Sequence, residues 1–240
     1  MKIRGERECS DCGTRWSYYE TGSVTCPECG SLRSVGVDDR KRHTAGAVDL
    51  DLTPVRTAFD EDAPLREIAT EAAEVCASYC RTQGFVDAGE LRPLGTTYLA
   101  AAELRGVGSE LGRRMRHTDD EELYFLSLLR GADRGTRPSV EDVPESLWGV
   151  RGLALAAAVD DYVRDLRLYL DDDRTGIDEP YRDVVSRLTE RRKRVEALDG
   201  DVDPTTVERL VRVAHDLGVA IAAADENALA SARQRLDDSV

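Results

Sequence analysis

From residue 64 onward, apolar positions recur at steps of three and four, the spacing that gathers side chains on one face of an α-helix. In PLREIATEAAEVCASYCRTQG, Leu65, Ile68, Ala72, Val75, Cys76 and Tyr79 share a face. Proline and an early glutamate open that segment and Gly84 stops it. After a turn rich in glycine and proline (84–95), a second helix is predicted from Thr96 to His117, striped by Leu104, Val107, Leu111 and Met115. Gly106 and Gly108 in its middle either weaken it or let a neighbour come close. Thr118, with Glu121 three residues on, is a capping box that starts a short helix ending at Gly131. GADRGTRPSVEDVPE (131–145) reads as the loop of the body most open to movement and proteolysis. Further helices are predicted from Ser146 to Leu170, from Glu179 to Leu198 after the DDDRTG turn, and from an Asp203-Pro204 cap to Leu236. In the last, Val207, Leu210, Ala214, Leu217, Ile221, Ala224 and Ala228 alternate at steps of three and four. Such a seam wants another helix, in the same chain or in a second copy as a homodimer.

The front of the chain lacks that period. The fold class predicted is mainly α: a small N-terminal ribbon (1–43), a linker or strap (44–63), and an all-α bundle of about six helices (64–240). The stretch VDLDLTPV alternates from Val48 to Leu52, which suits a strand or a segment lying along the bundle.

Composition sharpens this picture. Apolar residues make up 41% and aromatic residues only 5%, so the core must be aliphatic and alanine-rich, as in closely packed helices. The net charge is −14, with 47 acidic residues against 33 basic ones, of which only Lys2, Lys41 and Lys193 are lysine. This acidic, lysine-poor balance resembles the proteins of salt-loving archaea, in which carboxylates keep the surface hydrated in concentrated salt. The front is the exception: residues 1–43 carry eight Lys/Arg and seven Asp/Glu, leaving 25 and 40 for the remainder. Phosphate would therefore be met by the front and repelled by the body. No run approaches a membrane span and no apolar stretch follows the charged N-terminus, so the expected location is cytoplasmic, with no membrane partner.

In a reducing compartment cysteines serve as ligands or buried thiols. Cys9, Cys12, Cys26 and Cys29 have the C-x2-C-x13-C-x2-C spacing of a structural zinc site, with Gly13 and Gly30 after the second cysteine of each pair. The expected cofactor is one Zn2+ per chain, with iron as the rival. Between the pairs a short hairpin is predicted around Glu20 to Ser23, in a module too small to fold without its metal.

Through CSDCG and CPECG this part resembles the zinc ribbons of archaeal and eukaryotic transcription factors and RNA polymerase subunits. Rubredoxins have related knuckles that bind iron, with a longer and more aromatic intervening stretch. The whole chain resembles uncharacterised haloarchaeal proteins containing a transcription-factor-IIB-type zinc ribbon. Nothing downstream resembles the cyclin-like repeats of that factor, so the resemblance does not extend to promoter binding.

Arg7, Arg15, Trp16, Tyr18, Tyr19 and Arg33 interleave aromatic and basic character, as a recognition platform would. Alternatively Trp16 and one tyrosine close the ribbon's small core. The run Arg40-Lys41-Arg42-His43 either touches phosphate or begins a solvated linker. In the body, Cys76 and Cys80 share a helix face with the look of buried thiols, while His117 beside Asp119 to Glu122, and His215-Asp216, are weak candidates for a base or ligand. The clusters Asp160-Asp161, Asp171 to Asp173 and Asp237-Asp238 are what so acidic a chain supplies. There is no phosphate-cradling glycine loop, serine elbow or H-E-x-x-H, hence no catalytic residue to name. The expectation is a non-enzymatic adaptor or regulator that binds a protein partner through the ribbon, in a transcription-related setting. Its rivals are a nucleic-acid binder through the ribbon, an enzyme with a bundle pocket using Cys76, Cys80 and His117, and a ribbon that merely caps the bundle.

Overall fold

The computed structural model describes residues 1–170 and 179–238. The predicted DDDRTG turn, with Asp171, Asp172 and Asp173, lies outside the described residues. The chain is mainly helical, with small antiparallel sheets at its front.

The ribbon is built from β1 (Lys2–Arg4), β2 (Glu6–Cys9), β3 (Arg15–Ser17), the single turn α1 (Tyr18–Thr21), β4 (Ser34–Gly36) and β5 (Arg40–Arg42). Strand β2 is central, with Arg7 opposite Trp16 on one side and Glu8 opposite Val35 on the other. Strand β1 pairs with β5, Lys2 opposite Arg42. Where a hairpin turn was expected around Glu20 to Ser23 there is one helical turn. Gly22 ends it in the left-handed region at φ 62°, its N–H donating to the Tyr18 carbonyl as at any helix C-terminus.

The segment after the ribbon is a packed strap. Leu50, Leu52 and Val55 are buried in the bundle's core, the last within α2 (Thr53–Asp60). Arg56 fastens that helix by an ion pair to Asp133 at 2.5 Å and a hydrogen bond to the Leu129 carbonyl at 3.1 Å. The alternation at Val48 to Leu52 forms no strand, because burial of Leu50 and Leu52 draws the segment onto the helices.

The bundle comprises α3 (Leu65–Thr82), α4 (Thr96–Arg113), α5 (Asp119–Gly131), α6 (Trp148–Leu170), α7 (Glu179–Ala197), α8 (Pro204–Ala223) and α9 (Glu226–Asp237). A hairpin of β6 (Val86–Asp87) and β7 (Glu90–Leu91) interrupts it. Gly108 resolves the question of the mid-helix glycines: a Cβ there would stand 2.6 Å from the Ala69 carbonyl, so it brings α4 close against α3. Helix α4 stops at Arg113, short of the predicted His117, and leaves Met115 93% exposed. The capping box at Thr118 forms, and Glu121 also accepts from Ser146 and Arg114, each at 2.7 Å.

The predicted last helix is two. Ala224 turns into the left-handed region at φ 51° and Asp225 caps α9 through the Asn227 and Ala228 N–H groups. Val207, Leu210, Ala214 and Leu217 are buried within this one chain, whereas Ala224 is exposed, so the first half of the seam is covered by the chain's own helices.

Gly152 of α6 meets the 199–200 turn closely. A Cβ on it would lie 2.1 Å from the Gly200 carbonyl oxygen, a backbone atom in a turn that cannot swing aside as a side chain would. Gly152→Ala is therefore expected to cost about 1–3 kcal/mol, as overpacking does, measured as a lower midpoint in urea.

Inside this core sits a group of charges. Arg151 of α6 is 2% exposed and bonds to Glu103 of α4 at 3.1 Å, Glu208 of α8 at 2.5 Å and the Tyr124 hydroxyl of α5 at 2.7 Å. Arg137 joins Glu103 at 3.0 Å and Glu208 at 2.8 Å, and Tyr124 donates to Glu103. Arg137 belongs to the loop expected to be most mobile. Its two ion pairs, and the burial of Ala132 and Val143, instead pin that loop to α4 and α8.

Candidate metal centre

Two matching knuckles make the site. The Cys9 N–H donates to Thr14 and the Gly13 N–H back to Cys9, and the same pair of bonds recurs from Cys26 to Ser31 and from Gly30 to Cys26. Each turn closes through a glycine in the left-handed region, Gly13 at φ 76° and Gly30 at φ 71°. The cysteines thereby face one point: all four Sγ atoms lie within 4.8 Å of one another, with Cys9 to Cys29 and Cys12 to Cys26 each at 3.6 Å. Tetrahedral thiolate sites with bonds of about 2.3 Å place their sulfurs about 3.8 Å apart, so the four can hold a metal ion.

The protonation of the sulfurs points the same way. Hydrogen bonds from the Thr14 side chain and backbone, and from neighbouring sulfurs, draw the Cys12 thiol down to about 6. The Ser31 backbone draws Cys29 in the same direction, yet the Cys12, Cys26 and Cys9 sulfurs outweigh it and push that thiol up to about 12. A second thiolate in the group is thus disfavoured until a cation neutralises it. Among the described residues no other group of three or more Cys, His, Asp or Glu side chains is placed to hold a metal.

The aromatic residues around the knuckles are largely consumed by structure. Trp16 is 7% exposed, packs with Cys9 and Cys26, and donates its indole N–H to the Ser23 carbonyl at 3.0 Å. Tyr19 lies against the His43 ring at a centroid distance of 4.7 Å and donates its hydroxyl to the Ile3 carbonyl at 3.3 Å. Tyr18 meets the same imidazole edge-on at 6.3 Å. Arg15 and Arg33 are exposed but paired with Glu8 and Asp11, and Arg7 donates to Ser34. A ribbon with three buried hydrophobic residues needs its rings to exclude water, which is why Trp16 and Tyr19 do not form an open stacking platform.

His43 joins the ribbon to the body. Its Nδ1 accepts from the Ala88 N–H at 3.3 Å, its backbone N–H donates to the Met1 carbonyl, and burial lowers its pKa despite Asp87 nearby. Arg40 to Arg42, read from the sequence as a possible start of a solvated linker, form β5. The next residue, Thr44, bonds to the Val86 backbone and donates to Asp165 at 2.6 Å, while Asp165 also accepts from the Phe85 N–H at 2.7 Å.

What the sequence did not reveal is the ribbon's exposed apolar surface. Of ten exposed large hydrophobic residues among the described ones, Met1, Val24, Leu32, Val35 and Val37 belong to the first 43 residues. Two of them, Met1 and Val24, line a groove together with Ile3, Tyr18, Lys2, Arg4, Arg7 and Arg40, and with no carboxylate. A sheet of three-residue strands has too little alternation to show which face is bare.

The bundle's candidates stay apart. Cys76 is fully buried and its thiol is pushed up to about 12 by burial; Cys80 lines a cleft, pushed up to about 11 for the same reason. His117 lies elsewhere, 3.4 Å from Glu122, and His215 is half exposed beside Asp216. Asp160, Asp161 and Asp237 are ion-paired to Arg192, Arg164 and Arg187. No helix among the described residues is long and apolar enough to cross a membrane.

The chain belongs to a family of unknown function, DUF7117, whose model matches residues 1–236. No curated protein and no solved structure matches it.

Proposed function

We propose that the chain is a non-enzymatic adaptor in which a zinc-clipped ribbon, carried on an acidic helical bundle, docks an acidic, leucine-bearing segment of another protein. One observation carries this reading. In a chain of net charge −14, half of the exposed large hydrophobic residues and a groove with four cations and no carboxylate coincide on the first 43 residues. Apolar contacts rimmed by complementary charge suit an acidic amphipathic peptide. Nucleic acid is the second fit for four cations, but Trp16 and Tyr19 are not available to stack on bases. Zinc is the metal that the four-thiolate tetrahedron suits best.

The reading is tested by fluorescence anisotropy with acidic peptides carrying spaced leucines and with single-stranded oligonucleotides, over a potassium chloride series. Peptide binding is expected to persist at high salt, and Val24→Asp, in the lining of the groove, is expected to weaken it about tenfold. Preference for oligonucleotides with a steep loss of affinity in salt would replace this reading with the nucleic-acid one.

A further inference from the structure

Where α3, α4, α6 and the strap meet, a cleft of about 400 Å3 opens, a size that small metabolites occupy in other proteins. Its charges are unevenly used. Asp161 accepts from the Tyr98 hydroxyl at 2.9 Å and from Arg164 at 2.6 Å, so both its oxygens are engaged. Asp165, on the same wall, accepts from the Thr44 hydroxyl and the Phe85 N–H through one oxygen, Oδ2. The remaining cations have no such partners. Among the described residues, neither Arg81 nor Arg105 makes a hydrogen bond or an ion pair.

Arg105 is the more telling, since it is half-buried two turns along α4 from Tyr98. In a chain with 47 carboxylates, the interior arginines Arg137 and Arg151 each bind two of them, while Arg105 binds none. A partly desolvated guanidinium without a counter-ion is costly, and an arriving anion removes the cost. Gln83 lines the same cleft, and its Oε1 is buried without a hydrogen bond, an acceptor waiting for a donor.

We infer that this cleft binds a small phosphate ester of a hydroxyl-bearing molecule. Arg81 and Arg105 supply two positive charges to match the roughly two negative charges of a phosphate monoester near neutral pH. Gln83 accepts a hydroxyl from the ester's carbon part, and Asp161 holds Arg164 beside the entrance.

The test is phosphorus NMR, following the line width of glycerol phosphate and of inorganic phosphate as the full chain is added at constant potassium chloride. Saturable broadening is expected, tighter for glycerol phosphate. Arg105→Met is expected to weaken it about tenfold or more, the usual loss of a charge-assisted pair, and Gln83→Leu to abolish the preference for the ester. Should Arg105→Met fail to fold, the exposed Arg81→Gln decides in its place. Absence of saturation with both probes, unchanged binding in the arginine variants, or equal affinity for the two probes would overturn the assignment.

Discussion

Replacing Arg151 with methionine is expected to destabilise the bundle by about 3–5 kcal/mol, a large share of the ~5–15 kcal/mol that holds a domain together. The substitution removes one charge from a balanced group and leaves Glu103, which is fully buried, with Arg137 as its remaining cation. It also strips Tyr124 of an interaction at 2.7 Å, so two buried groups lose partners at once. The cost comes from stranded polarity and not from the worth of the ion pairs. The triple variant Glu103→Leu, Arg151→Met, Tyr124→Phe should therefore be more stable than Arg151→Met alone. It removes one negative and one positive charge and keeps the Arg137 to Glu208 pair. Urea midpoints for both variants and the parent measure this; a triple variant weaker than the single would mean that the network itself supplies net stability.

The same network sets an acid limit. Burial pushes Glu208 up, but Arg137 and Arg151 outweigh it and hold its carboxyl below the usual range. A carboxylate with a depressed folded pKa contributes stability that is fully present above its unfolded pKa and is lost as pH falls through the folded one. The urea midpoint should thus drop through and below the ordinary glutamate range, and Glu208→Gln should flatten that part of the profile while lowering the plateau.

These charges mark the boundary of what the sequence discloses. Glu103 sits in LAAAEL and Arg151 in GVRGLALAAAV, single charges inside apolar runs, and in a chain that is 33% charged such residues read as solvated edges of a helix. Only the crossing of α4, α5, α6 and α8 brings them together. The helices themselves were legible because amphipathic spacing is local, and the four cysteines because two C-x-x-C-G turns specify their own geometry. The break at Ala224 was hidden by a seam whose spacing continues through it, although Asp225 before Glu226 was a capping signal. Sequence left Trp16 and Tyr19 between a recognition platform and the ribbon's small core, since it shows aromatic density and not the scarcity of other core residues around it; Trp16 is buried with Cys9 and Cys26, as the core reading has it.

Removing the metal is expected to unfold the ribbon and spare the bundle. The ribbon's own buried cluster is Cys9, Trp16 and Cys26, and two of these three belong to the four-sulfur group that can hold the metal, so little apolar burial is independent of it. Binding of zinc to comparable small modules contributes about 10–16 kcal/mol of apparent free energy, far above what one buried indole supplies. The bundle has a separate, much larger core into which Leu50, Leu52 and Val55 of the strap are already packed. Its loss on chelation should be confined to the junction, where His43 is covered by Tyr18 and Tyr19. In a Trp148→Phe background Trp16 is the sole tryptophan, and its emission should shift to the red on addition of a strong chelator while helical circular dichroism stays nearly constant. Cys12→Ser should reproduce the shift without chelator, and elemental analysis of the parent should return one zinc per chain. Unchanged Trp16 emission in protein shown to be free of metal would mean that the knuckles close on their own hydrogen bonds. In that case the exposed apolar face of the ribbon persists without zinc, and partner docking would be insensitive to chelation.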